Sequence, residues 1–181
     1  MNEAATARLL ELVKQRSVLR QTVTLASGKP SSFYIDGKMV LMSSESAALI
    51  GELIYRLTKD LKLDAIGGPE VGAIPMATAA VIRYHQAGVA MEGFFVRKEA
   101  KQHGTQKQIE GKLAAGNRVA IVEDVMTTGG CVAQAIDTVR KAGAIVEVVI
   151  ALVDRLQGAR ERIEGLGCRF TSVWTLQDLG L

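Results

Sequence analysis

This chain is poor in proline, in cysteine, in net charge and in long apolar runs, and each shortage narrows what it can be. Only three prolines occur in 181 residues, with no repeat and no low-complexity tract, so no linker divides the chain and one domain over residues 1–181 is expected. At 48% hydrophobic there is enough apolar material for a layered core. The two cysteines, Cys131 and Cys168, have no metal-ligand spacing, and a lone disulfide would be unusual in a reducing compartment; both read as free thiols. No stretch approaches the ~20 apolar residues needed to cross a bilayer. The start, Met1-Asn2-Glu3, lacks the basic and then apolar character of a signal peptide, so a cytoplasmic protein with no membrane partner is expected. A net charge of +3, dispersed along the chain, argues against nucleic acid as a partner and suits small anionic substrates. Neither G-x-G-x-x-G between strand and helix nor G-x-x-x-x-G-K-[ST] is present, which removes the commonest dinucleotide and nucleoside-triphosphate cradles.

What is present alternates between strands and helices. Leu9, Leu10 and Val13 are spaced for an amphipathic helix over about Asn2 to Arg16. Thr22-Val-Thr-Leu25 and Phe33-Tyr-Ile35, around the turn Ser27-Gly-Lys-Pro30, predict short antiparallel strands. A helix follows from Ser44 to Leu61 with Ser43 or Ser44 as N-cap, then a strand at Asp64–Gly67 and a helix from about Ile74 to Gln86. Strands are predicted at Val89–Val96, Val119–Val122, Val146–Val153 and Phe170–Trp174, with helices at Ala133–Lys141 and Ala159–Ile163. This alternation implies right-handed crossovers and a mostly parallel sheet of about five strands.

The most informative run is Val119-Ala-Ile-Val-Glu-Asp-Val-Met-Thr-Thr-Gly-Gly-Cys131. A β-branched apolar strand, ending near Glu123, leads through two acids into a hydroxyl- and glycine-rich turn that opens a helix. Backbone N–H groups and the positive end of that helix suit an anion. Thr127 and Thr128 add hydroxyl donors, and Gly129 and Gly130 let the backbone come close. Glu123 and Asp124 would repel a phosphate alone, but carboxylates accept hydrogen bonds from sugar hydroxyls and help hold a hard cation. A ribose phosphate carrying Mg²⁺ satisfies both halves. Between Val96 and Val119 lies a polar stretch, Arg97 to Gly111, with four Lys or Arg against two acids and almost no apolar anchor. Long unsupported connections of this kind are usually functional.

The signature resembles that of the phosphoribosyltransferases for 5-phosphoribosyl-1-pyrophosphate. The pattern R-K-x-x-K-x-H-G at Arg97 to Gly104 looks like the catalytic loop of the orotate phosphoribosyltransferases, and nearly the whole chain takes part in the likeness. The resemblance implies a type I phosphoribosyltransferase α/β fold: a mostly parallel five-stranded sheet flanked by helices, a small N-terminal hood over about residues 1–40, and a core over about 41–181. It implies an Mg²⁺-dependent transfer of ribosyl phosphate from the donor to orotate, giving orotidine 5′-phosphate and pyrophosphate, in pyrimidine nucleotide synthesis. Carried over by position, Lys101, His103, Glu123 and Asp124 would be catalytic. The donor would also meet Arg97, Lys98, Val125, Met126, Thr127, Thr128, Gly129, Gly130 and Cys131, with Glu70 and Val71 in the second glycine-containing loop, Gly68 to Gly72. Orotate would meet Phe33, Tyr34, Thr127 and Arg155. Mg²⁺ would be held mainly by substrate, with Glu123 and Asp124 nearby. The Arg97–Gly111 loop would be shared across a homodimer interface.

Two positions depart from the family pattern. Ala26 and Val71 stand where many relatives carry lysine, and Lys29 is a possible substitute charge. His85, near a predicted helix end, reads as structural. Two alternatives stay open at the level of sequence: a purine salvage phosphoribosyltransferase, expected to lack the basic loop, and a donor-sensing regulator, expected to carry a DNA-binding segment.

Overall fold

The computed structural model describes residues 3–24, 30–99 and 107–181. The first helix, α1 (Glu3–Ser17), buries Leu9, Leu12 and Val13, which fall on one face of a 3.6-residue repeat. Four two-residue strands follow as nested antiparallel pairs: β1 (Val18–Leu19) with β4 (Tyr34–Ile35), and inside it β2 (Val23–Thr24) with β3 (Pro30–Ser31). Most of the expected turn, Ser27 to Lys29, lies outside the described residues. A short helix the sequence reading did not anticipate, α2 (Lys38–Leu41), leads into α3 (Ser44–Thr58). The latter stops three residues short of the expected Leu61. There the Thr58 hydroxyl donates to the Ile54 carbonyl at 2.6 Å, and Lys62 takes a left-handed φ of 51° that turns the chain into the sheet.

The remaining elements are β5 (Ala65–Pro69), α4 (Ala73–Gln86), β6 (Glu92–Val96), β7 (Ile109–Gly111), β8 (Arg118–Met126), α5 (Gly130–Lys141), β9 (Ile145–Asp154), α6 (Ala159–Gly165) and β10 (Arg169–Thr175). They form one sheet in the order β10-β9-β8-β5-β6-β7. The five expected strands run parallel, and β7, drawn from the end of the polar stretch, adds a sixth at the edge, antiparallel to β6. Pairing of Val96 with Ile109 and Phe94 with Gly111 gives that stretch a foothold its composition did not advertise.

Helices cover both faces of the sheet. Alternate strand residues divide between two cores: Ile66, Ala120, Val122 and Ile150 pack with α1, α3 and α4, whereas Ala65, Val119, Ile121 and Val149 pack with α5 and α6. A parallel sheet buried on both faces is why these strands read as continuous apolar runs. β5 connects to β6 in one direction along the sheet and β8 to β9 in the other, so chain direction reverses between β5 and β8. A crevice opens at the carboxyl ends of strands at such a point.

Candidate active site

The crevice gathers the ends of four parallel strands. β8 runs three residues beyond the expected end at Glu123, because its ladder with β9 continues to the pair Met126 and Asp154. Glu123 and Asp124 therefore lie within the strand. Their carboxyl groups nevertheless act on each other, and Glu123 Oε1 accepts the Asp124 backbone N–H at 3.2 Å. Burial, followed by the hydrogen bond and charge of Asp124, pushes the Glu123 carboxyl up to about 9; the Lys38 ammonium pulls the other way. Asp124 is buried, at 8% exposure. Two acids this close do not both ionise easily without a cation or hydroxyl donors to receive them.

Beyond the strand, Thr127 is half-buried and Thr128 exposed, and the chain turns at Gly129 with φ 72°. A side chain is disfavoured in that left-handed conformation, although a Cβ there would make only ordinary contact, 3.4 Å from Ala159 Cα. The turn starts α5 at Gly130, three residues before the expected Ala133. Gly130, Cys131 and Val132 thus become its first turn, where N–H groups have no carbonyl one turn back within the helix. Both thiols are free: Cys131 is exposed on this turn and Cys168 is buried.

The end of β5 supplies Glu70, whose peptide bond to Val71 is cis; Val71 is 61% exposed. Glu70 Oε1 accepts the backbone N–H of Lys98 at 2.9 Å, and its own N–H donates to the Val96 carbonyl at 2.9 Å. The second loop is thereby tied to the base of the basic stretch. A cleft of about 80 Å³ between them is lined by Glu70, Arg97, Lys98, Gln108 and Cys131. Lys101 and His103 lie outside the described residues.

At the end of β9, Arg155 is 6% exposed, and its Nε has no hydrogen-bond partner among the described residues. Its guanidinium carbon stands 5.5 Å from the centre of the Phe33 ring. An aromatic face and a buried guanidinium with a donor to spare are thus brought together from residues 122 positions apart by number, beside the Met126 carbonyl that accepts the Arg155 N–H at 2.9 Å. Tyr34 is exposed and acts electrostatically on Lys38. The sequence reading did not name Gly37 or Lys38, which the fold carries to the acid pair. Neither belongs to a local motif, so only tertiary packing reveals them.

Comparison with known proteins agrees with this geometry. Residues 36–175 match the family model of the phosphoribosyl transferase domain. An orotate phosphoribosyltransferase of Bradyrhizobium is 43% identical over 179 residues, covering 97% of each chain. The crystal structure of the Mycobacterium tuberculosis orotate phosphoribosyltransferase with Fe(III) dicitrate superposes with a TM-score of 0.87 at 42% identity, covering 98% of this chain and 99% of that one. The same enzyme in complex with 5-phospho-alpha-D-ribosyl 1-diphosphate gives 0.83 at 40% identity, with the same coverage. The chain belongs to the phosphoribosyl transferase family and, within it, to the orotate phosphoribosyltransferases. Among the described residues no helix is long and apolar enough to cross a membrane.

Proposed function

We propose that the protein transfers the ribosyl phosphate group of 5-phosphoribosyl-1-pyrophosphate to orotate, releasing pyrophosphate, and does so in pyrimidine nucleotide synthesis in the cytoplasm. The observation that carries the choice of acceptor is the buried Arg155 fork beside Phe33, its Nε without a partner among the described residues. A planar ring bearing a carboxylate matches that pair, because the guanidinium offers parallel donors and the aromatic face takes the ring. A purine lacks the carboxylate and would leave the guanidinium unanswered.

In this reading the 5′-phosphate sits against the Thr127–Cys131 turn, with Val125 and Met126 leading into it. Glu123 and Asp124 hold the ribose hydroxyls, and Glu70 and Val71 face the pyrophosphate. Thr127 and Arg155 orient orotate, with Phe33 and Tyr34 at the border of its ring. Arg97, Lys98, Lys101 and His103 answer the charge that builds on pyrophosphate as the bond at ribose C1 loosens and the orotate ring nitrogen attacks from the opposite side. A charge of this kind is largest in the transition state, so a basic lid acts mainly on turnover.

The donor set suits Mg²⁺. Two adjacent carboxylates are available, and no group of three or more His, Cys, Asp or Glu able to hold a metal occurs among the described residues, which favours a cation shared with substrate oxygens over a protein cage. When bound, Mg²⁺ would neutralise pyrophosphate and ribose oxygens. We further propose a single domain whose residues 1–40 form the hood, and a homodimer. An apolar groove of about 570 Å³ lined by Leu41, Met42, Val71, Ile74, Pro75 and Ile82, with Met42 79% and Ile82 54% exposed, supports a second copy as its cover.

The test is the fall in orotate ultraviolet absorbance with purified protein, donor and Mg²⁺, with uracil and hypoxanthine run alongside by product analysis. Consumption of orotate alone, abolished by chelation, is expected. Donor binding without consumption of any base would overturn the reading in favour of a regulator.

A further inference from the structure

Two backbone positions, Gly37 and Gly72, lie close against the Asp124 side chain. A Cβ built on Gly37 would overlap the Asp124 carboxylate, standing 2.7 Å from both its Cβ and its Cγ, and a Cβ on Gly72 would stand 2.6 Å from the same Cγ. Gly37 precedes α2 in the hood and Gly72 precedes α4 in the second loop. Neither glycine needs unusual backbone freedom, since φ is −61° at Gly37 and −62° at Gly72, a conformation open to any residue. The lack of a side chain at both positions is therefore a matter of space, and what fills that space is Asp124. The next hood residue, Lys38, is ion-paired to Asp36 at 2.7 Å, and its charge acts on both Asp124 and Glu123.

We propose that the hood segment Asp36-Gly37-Lys38 is a positioning element of the donor site. Gly37, together with Gly72, fixes the Asp124 carboxylate in the orientation that receives the ribose hydroxyls, while Lys38, held by Asp36, keeps a cation near the acid pair. The hood thereby serves donor binding as well as the orotate border. This inference rests on Glu123 and Asp124 being the ribose-holding pair.

The experiment measures donor and orotate KM, kcat and the dissociation constant of 5-phosphoribosyl-1-pyrophosphate with Mg²⁺ by calorimetry, for Gly37→Ala, Lys38→Ala, Lys38→Arg and Asp124→Ala. Gly37→Ala should raise donor KM about tenfold, as expected of a methyl group forced into a filled space, with orotate KM and kcat near those of the parent. Lys38→Ala should raise donor KM about threefold to fivefold, and Lys38→Arg should restore it. Equal losses in donor and orotate KM, or an unchanged donor KM in Gly37→Ala, would overturn the positioning role. Should Gly37→Ala fail to fold, Lys38→Ala decides: an unchanged donor KM there overturns the proposal. Asp124→Ala separates the two levels, because unaltered donor affinity in that variant removes the acid pair itself from the ribose site, whatever the hood variants do.

Discussion

Arg155 has lost nearly all its water and one of its donors has no partner among the described residues, a condition that costs a protein stability unless a ligand answers it. Arg155→Lys keeps the charge and loses the fork, so it should raise orotate KM by about a hundredfold while donor KM stays within about twofold, as read by steady-state kinetics with each substrate varied in turn. Glu123 makes a separate prediction about the ligand-free protein. Its folded pKa, about 9, lies above the ordinary 4.5, so the folded chain keeps a proton that the unfolded chain gives up between those values. The stability tied to that proton is complete below about 4.5, declines as pH rises and is fully lost above about 9. Glu123→Gln cannot ionise and escapes this loss. Its Tm advantage over the parent should be near zero at pH 4.5 and exceed about 5 °C by pH 8.5 in thermal melts, at the expense of donor affinity.

At the scale of elements, the contact that joins two loops is Glu70 with the Lys98 N–H. It links the turn after β5 to the start of the basic stretch between β6 and β7, whose other end is held by Arg97 N–H to the Gln108 carbonyl at 2.8 Å. Glu70→Ala would free the start of the basic stretch and should lower kcat about fivefold to tenfold with smaller changes in either KM. Glu70→Gln, which retains a carbonyl acceptor, should recover most of the loss, since one charged hydrogen bond of this kind is worth about 1.5–3 kcal/mol and a neutral one about half that. Stopped-flow turnover with saturating substrates checks both. The elements themselves were legible where hydrophobic period was strong: β8, β9, α4 and α5 lie within a few residues of expectation. The misses share one cause. α2 spans only four residues, β7 three, and β1 and β3, which lay outside the two strands expected around the turn, two each; all are too short for a period to declare itself, and each is held by packing or by a neighbour's ladder.

For the whole molecule, the proposed homodimer with a shared loop makes a prediction that no single chain could satisfy. Assayed with orotate near the parental KM, Lys101→Ala and Arg155→Lys dimers, each nearly inactive there, should regain about a quarter of parental activity after mixing and subunit exchange, because half the dimers are then mixed and each of those holds one intact and one doubly damaged site. No recovery, with exchange verified by mass spectrometry, would place the loop over its own subunit's site. The sequence by itself determined the class of fold, the five parallel strands, the threonine- and glycine-rich turn and the acid pair, since each is written in a contiguous run whose period, β-branching or glycine placement acts over a few residues. It also marked Phe33 and Arg155 by resemblance, though nothing local joins them. Only the tertiary structure decided that Arg155 is buried against Phe33, that Glu70 holds the start of the basic stretch, and that Gly37 and Gly72 both close on Asp124. Those are contacts between elements far apart in the chain, set by how the hood and the two strand-to-helix loops pack above one sheet edge, and no short-range pattern in the residues encodes them.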